Sequence, residues 1–249
     1  MNRYLLNTNL PDNDVTEVIV TDKDKVLLNK LQKLNIEYIL SSNNDFLSDN
    51  ISYHTDLNIF HKGKNSFIFD ISQKDLIKFL PDADIYFTQE IVKSPYPYDC
   101  RLNVADIGDY IICNKDIIDS NIADYAKENN KKIIDVKQGY SKCSICIVDK
   151  NKFITDDPSI YMKTAGLPKI SSILVSKGSV KLEGQNYGFI GGCSCLISKR
   201  HLLFNGDIRK HLDFDSIYRF LNDNKIKFDY IENHDIIDIG GIIPIKEKE

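Results

Sequence analysis

A thiol, an imidazole and a carboxylate are the side chains of this sequence best suited to covalent chemistry on a small molecule. The 249 residues include six cysteines and five histidines. His54-Thr-Asp56 lies in the apolar-rich run Tyr53–Phe60. Read as a strand, that run sends His54, Asp56 and Asn58 to one face and Tyr53, Leu57 and Ile59 to the other. Further along, Gly139-Tyr-Ser-Lys-Cys143-Ser sets a cysteine shortly after a glycine. A thiolate is the attacking form of cysteine, and a free thiol titrates at about 8.5, so few are ionised at neutral pH. A neighbouring imidazolium or a bound cation raises that share. Histidine can also hand a proton to a departing amine. The plainer alternative makes Cys143 a small buried apolar residue and His54 a core side chain with a partner. Both readings stand at this level.

Metal ligation is the other chemistry that cysteines suggest. Cys143-x-x-Cys146 and Cys193-x-Cys195 together offer four thiols, the number a structural zinc takes. Strand parity opposes this, because residues three apart point to opposite faces. No metal site and no cofactor are therefore expected. Gly191-Gly192, just before Cys193, permits close backbone approach. The Pro95-Tyr-Pro-Tyr98 segment is read as an ordered loop at the rim of a site.

The elements that must position these residues repeat. Five amphipathic helices follow polar caps: Lys23–Leu34, Ser72–Leu80, a segment opened by Ser120, one opened by Asp157-Pro158 and closed by Gly166, and one opened by Asp213. After each helix comes a short apolar run: Ile36–Leu40, Ala83–Thr88, Lys132–Val136, Ile170–Val175 and Ile226–Ile231. Hairpin-like pairs follow the first four. They are Tyr53–Phe60 with Ser66–Phe69, Arg101–Ile107 with Tyr110–Cys113, Ser141–Val148 with Lys152–Ile154, and Tyr187–Ile197 with His201–Phe204. The polar residues closing these pairs, Asp70, Asn114, Thr155 and Asn205, recur at intervals of about 40–50 residues. The fifth pair has one strand, expected at Asp235–Ile239, and no second. Glu17–Thr21 has the character of a second strand, falls on the same period and has no first. The economical solution is a closed ring of five ββαβ-like units, its last unit completed by the N-terminal strand, which leaves no exposed sheet edge. A β-propeller would not carry one helix per repeat, and a doubly wound sheet would not carry the paired strands.

Composition bounds the setting. Hydrophobic residues at 42% and charged residues at 27% are ordinary for a globular chain. A net charge of −4 leaves no basic footprint for DNA or an anionic membrane. The N-terminal residues lack the apolar core of a signal peptide, and no run reaches the roughly 18 apolar residues of a membrane span. Cysteines without a secretory signal point to reduced thiols in a cytoplasmic protein. One domain over residues 1–249 is expected, with its oligomeric state open.

With this pattern in place, the sequence resembles the pentein superfamily, the fold of guanidino-group-modifying enzymes. Besides the repeat, Gln138–Asp149, Tyr187–Gly192 and Asp238–Gly241 are similar to a bacterial family of that fold. The superfamily holds deiminases, dimethylarginine hydrolases and amidinotransferases, and also a non-enzymatic branch that binds the ribosome. The resemblance implies a cysteine nucleophile, a His-x-Asp pair and carboxylates that grip a guanidinium. Carried over, Cys143 is the nucleophile, His54 the general acid and base, and Asp56 an orienter or guanidinium ligand. Asn103, Asp106 and Asp238 are the expected substrate-binding residues. In the enzymes His-x-Asp lies in the middle unit and the cysteine in the last. Here they lie in the first and third, with the same offset of two units, and Ile243-Pro244 stands where the last-unit cysteine would be. A thiol-dependent hydrolase or transferase of a small guanidino or amidino compound is the expected function. The alternative is a binding protein of the same fold, engaging a protein or ribonucleoprotein surface without turnover.

Overall fold

The computed structural model describes residues 2–249. Strands β1 (Asn2–Tyr4) and β2 (Val15–Val20) precede helix α1 (Lys25–Lys33) and strand β3 (Glu37–Leu40). A single turn, α2 (Thr55–Asn58), leads into β4 (Ile59–Gly63) and β5 (Ser66–Phe69). A 3₁₀ helix, Ile71–Phe79, and β6 (Asp84–Phe87) complete that unit. The next holds β7 (Ala105–Asp106), β8 (Tyr110–Cys113), α3 (Ser120–Glu128) and β9 (Lys132–Asp135). Then come β10 (Ile145–Asp149), β11 (Lys152–Thr155), α4 (Pro158–Thr164) and β12 (Ser171–Leu174). The chain ends with β13 (Ser194–Ser198), β14 (His201–Phe204), α5 (Phe214–Asp223), β15 (Lys227–Asp229) and β16 (Ile243–Lys248).

Five small sheets result, each an antiparallel pair whose second strand also takes a parallel partner from beyond the helix. The pairs β4–β5, β7–β8, β10–β11 and β13–β14 are local hairpins. The fifth is assembled from the two ends of the chain: β16 pairs antiparallel with β2, Ile243 opposite Ile19, and β2 pairs parallel with β3. β1 adds a further strand on the free edge of β16, which the sequence pattern did not suggest. First strands also pack between units, β10 against β13, β13 against β16 and β16 against β4.

Helices α1, α3 and α4 each start at a capping aspartate. Asp24 accepts from the amides of Val26 and Leu27, and Asp157 from those of Ser159 and Ile160. Leu27 and Leu31 in α1, and Ile217, Phe220 and Leu221 in α5, turn inward. The second helical segment winds as 3₁₀ rather than α, capped by Asp70. The second strands of the hairpins are buried along nearly all their length. Phe67, Phe69, Phe153 and Phe204, which they carry, are among the largest wholly buried side chains. Strands covered on both faces read as continuous apolar runs, which is why these boundaries were legible.

The first strands were not. All begin later than the apolar pattern suggests, at Ile59, Ala105, Ile145 and Ser194, and Asp235–Ile239 is no ladder strand at all. Residues ahead of each strand form tight turns instead. The amide of Leu57 donates to His54 O, Asn103 to Cys100 O, Ile145 to Lys142 O, and Gly192 to Phe189 O. Buried amides need partners, and these find them three residues back, so an apolar run continues as a buried turn rather than a strand.

Candidate active site

Those turns bring the candidate residues together. His54 is the residue capping α2 and Asp56 lies within its single turn. They do not share a strand face as expected, yet they reach the same place. Cys143 comes from the turn before β10, and the ligand-type atoms of His54, Asp56 and Cys143 all lie within 4.8 Å of one another. The Cys143 thiol donates to Asp56 Oδ2 at 3.1 Å. Asn103 holds the thiol in place. Its Oδ1 accepts from the amides of Lys142 and Cys143 (2.9 and 3.1 Å), and its Nδ2 donates to Cys143 Sγ at 3.2 Å and to Asp56 O at 3.3 Å. Two buried atoms of the cluster, His54 Nε2 and Asp56 Oδ1, have no hydrogen-bond partner. Buried polar atoms rarely go unpaired, and a bound ligand is what such a pair can serve.

Asp238 joins them from the turn before β16. Its Oδ2 accepts from Phe189 N and its Oδ1 from Gly240 N, both at 2.9 Å. Glycine is required around it. A Cβ on Gly192 would stand 1.9 Å from Asp238 Oδ1, and one on Gly240, at φ +73°, would stand 2.3 Å from the His54 backbone. Asp106 does not belong to this group. Its carboxylate is occupied by the Lys131 ammonium at 2.8 Å, the Tyr125 hydroxyl at 2.8 Å and Gly108 N. Its carboxylate is spent on these partners, the turn-type role that such residues more often have, and it lies outside the cluster.

The electrostatics of the site favour neutral forms. Burial pushes the Cys143 thiol well above its ordinary value, and the carboxylates of Asp56 and Asp238 push it further. Burial also raises Asp238, against the attraction of His54. These surroundings favour the protonated, hydrogen-bonded thiol, whereas the sequence led to the expectation that His54 would favour thiolate. The sign reverses when a cation enters, since positive charge within about 4–6 Å favours the ionised form.

Above the cluster opens a cavity of about 440 Å³ lined by His54, Cys143 and Asp238 at one end, within the roughly 300–1,000 Å³ of small-ligand sites. Ser94, Pro95 and Tyr96 line it, so the first half of the Pro-Tyr-Pro-Tyr segment faces the cavity. Sequence reasoning missed Asp99, Tyr140, Tyr187 and Phe189, which also line it. The only signal for Asp99 was its place beside that proline-rich segment. Among the described residues, the donor set close enough to hold a metal ion is His54, Asp56 and Cys143. The cysteine quartet does not form one: Cys193 and Cys195 donate to backbone carbonyls of Ile190 and Leu196.

Comparison with solved structures shows that the fold is the pentein fold. The structure is similar to an inosamine-phosphate amidinotransferase from Streptomyces griseus, at 10% identity and a TM-score of 0.60, over 99% of this chain and 98% of that one. It is similar to an agmatine deiminase from C. jejuni, at 10% identity and TM-score 0.57, over 100% and 97%. A DDAH from Pseudomonas aeruginosa matches at 8% identity and TM-score 0.56, over 95% and 100%. The chain itself belongs to a family of unknown function (DUF6873), which matches residues 19–243. No curated protein sequence matches it. Among the described residues no helix is long and apolar enough to cross a membrane.

Proposed function

We propose that this chain is a thiol-dependent hydrolase or transferase acting on a small guanidino or amidino compound. It works as one domain whose five sheets stand in a ring about a common axis. The observation that carries the reading is the convergence of Cys143, His54 and Asp56 at the end of a ligand-sized cavity.

The cationic head enters beside Asp238 and Asp56 and supplies the charge that the buried thiol lacks. Cys143 loses its proton to Asp56 or to His54, and Sγ bonds to the central carbon of the guanidinium. The bond from that carbon to the departing nitrogen breaks, and His54 protonates the leaving amine. The amidino group is then held on sulfur. Attack by water on the same carbon releases a ureido product, and attack by an amine transfers the amidino group; either breaks the carbon–sulfur bond and restores the thiol. Asn103 positions Sγ throughout and takes no proton.

The raised, hydrogen-bonded thiol favours a second reading, a pentein-fold binding protein without turnover. The two readings part on one measurement. At pH 7.5, 2-chloroacetamidine, which carries its own positive charge, should alkylate Cys143 alone, and at least tenfold faster than neutral iodoacetamide. Cys143→Ser should abolish the adduct. Equal slow labelling of several cysteines by both reagents would end the enzymatic reading.

A further inference from the structure

Besides the cluster, the cavity is lined by aromatic rings and by the neutral polar side chains of Ser48, Asn50, Ser94, Gln185 and Asn186. Four aromatic rings run along it in sequence. Tyr96 to Tyr140, Tyr140 to Phe189 and Phe189 to Tyr187 have centroid separations of 5.8, 6.1 and 6.0 Å. Behind Tyr140 lies Asp99, only 2% exposed. Its Oδ2 accepts from the Tyr140 hydroxyl at 2.7 Å and its Oδ1 from the Cys100 thiol at 3.1 Å. Burial, with Cys100 and Asp99 beside it, raises the Tyr140 phenol, so it remains a neutral donor to that carboxylate.

Charge is distributed one way. Two acidic side chains line it, Asp238 with the cluster and Asp99 hydrogen-bonded to Tyr140. No lysine or arginine is among the described residues that line the cavity. Lys177 touches Tyr187, its Nζ 3.4 Å from the hydroxyl, but is not part of the lining. A free amino acid bound by its guanidino head would lay its carboxylate along these rings. There it would meet aromatic π-faces, which carry negative potential, a second buried acid and only neutral hydroxyl and amide donors, with no lining cation to pair with. An ammonium or an apolar body meets the opposite: attraction to ring faces and to Asp99, or burial against rings.

Taking the end of the cavity at Cys143, His54 and Asp238 as the seat of the guanidinium head, as proposed above, we infer that the ligand of this cavity carries no carboxylate. Its remainder is an apolar or cationic tail laid along Tyr96, Tyr140, Phe189 and Tyr187.

Calorimetry on the Cys143→Ser protein separates the possibilities, because binding is read without turnover. Arginine and agmatine differ only by a carboxylate, and phenethylguanidine replaces the tail by an aromatic one. Agmatine and phenethylguanidine should each bind at least tenfold more tightly than arginine at pH 7.5. Asp99→Asn, which keeps an acceptor for Tyr140, should shrink the agmatine-to-arginine ratio at least threefold. A purely structural Asp99 would leave that ratio alone. Tyr187→Ala should weaken phenethylguanidine more than agmatine. Arginine binding as tightly as agmatine, or none of the three binding, would overturn the inference. Alkylation of Cys143 in the unsubstituted protein is read separately. A labelled Cys143 with arginine preferred sinks the inference and spares the enzymatic reading; an unlabelled Cys143 with agmatine preferred does the reverse.

Discussion

Cys143 and Gly192 occupy the same place in consecutive repeats, each two residues ahead of the first strand of its hairpin, β10 and β13. In one the position bears the Cys143 thiol. In the other it must bear nothing, because the Asp238 carboxylate fills the space where a Cβ would project. The two turns are joined directly, Gly192 N donating to Cys143 O at 3.0 Å. Their neighbours differ as well. Cys193, beside Gly192, spends its thiol on Ile190 O at 3.1 Å and is raised well above its ordinary value by burial. Repetition of the backbone thus supplies equivalent places, and divergence of single residues decides which place acts and which yields room.

The comparison breaks most visibly at Gly192. Gly192→Ala forces a methyl group into a carboxylate that is itself fixed by two backbone amides. The cost should be roughly 3 kcal/mol, the upper part of the range for overpacking a closed site. Chloroacetamidine labelling of Cys143 should fall at least tenfold as Asp238 is displaced. Urea unfolding and labelling rates report both, and an unchanged midpoint with intact labelling would show that the two positions are not complementary.

Asp156 sharpens the contrast through pH. It accepts from Ile190 N at 2.9 Å, at the start of the Gly192 turn, while its Oδ1 has no partner. Burial raises its carboxyl to about 7. A folded value above the unfolded value of about 3.9 means that this group's contribution to stability is whole below about pH 4. That contribution is lost as pH rises towards 7. Asp156→Asn keeps an acceptor for Ile190 and removes the titration. The variant should be more stable than the parent by about 1–2 kcal/mol at pH 8 and no more stable at pH 4. Thermal melts at the two pH values check this, and equal shifts at both would contradict it.

Cys193→Ala should have the smallest effect. Loss of a buried sulfur and its bond to Ile190 O costs about 1 kcal/mol, and labelling of Cys143 should stay within twofold. A large drop in labelling would mean that the second turn takes part in the chemistry rather than merely clearing space.

By itself the sequence determined the repeated outer parts of the molecule. The helix start at Asp157 and the buried second strands were legible because capping and burial on both faces leave local, periodic marks. The link between Glu17–Thr21 and the C-terminal end followed from an unpaired strand at each end. The types of residue at the site were legible too, His54, Asp56, Cys143, Asn103 and Asp238 among them. Tertiary structure alone decided how they meet. Turns closed by bonds three residues back do not repeat in sequence, so His54 and Asp56 converge through a helical turn rather than a strand face, and Asp106 is spent on Lys131. Only tertiary structure, too, set the state of the thiol. Its ionisation depends on burial and on Asp56 and Asp238, which come from distant repeats, and a field summed over such distances leaves no local trace along the chain.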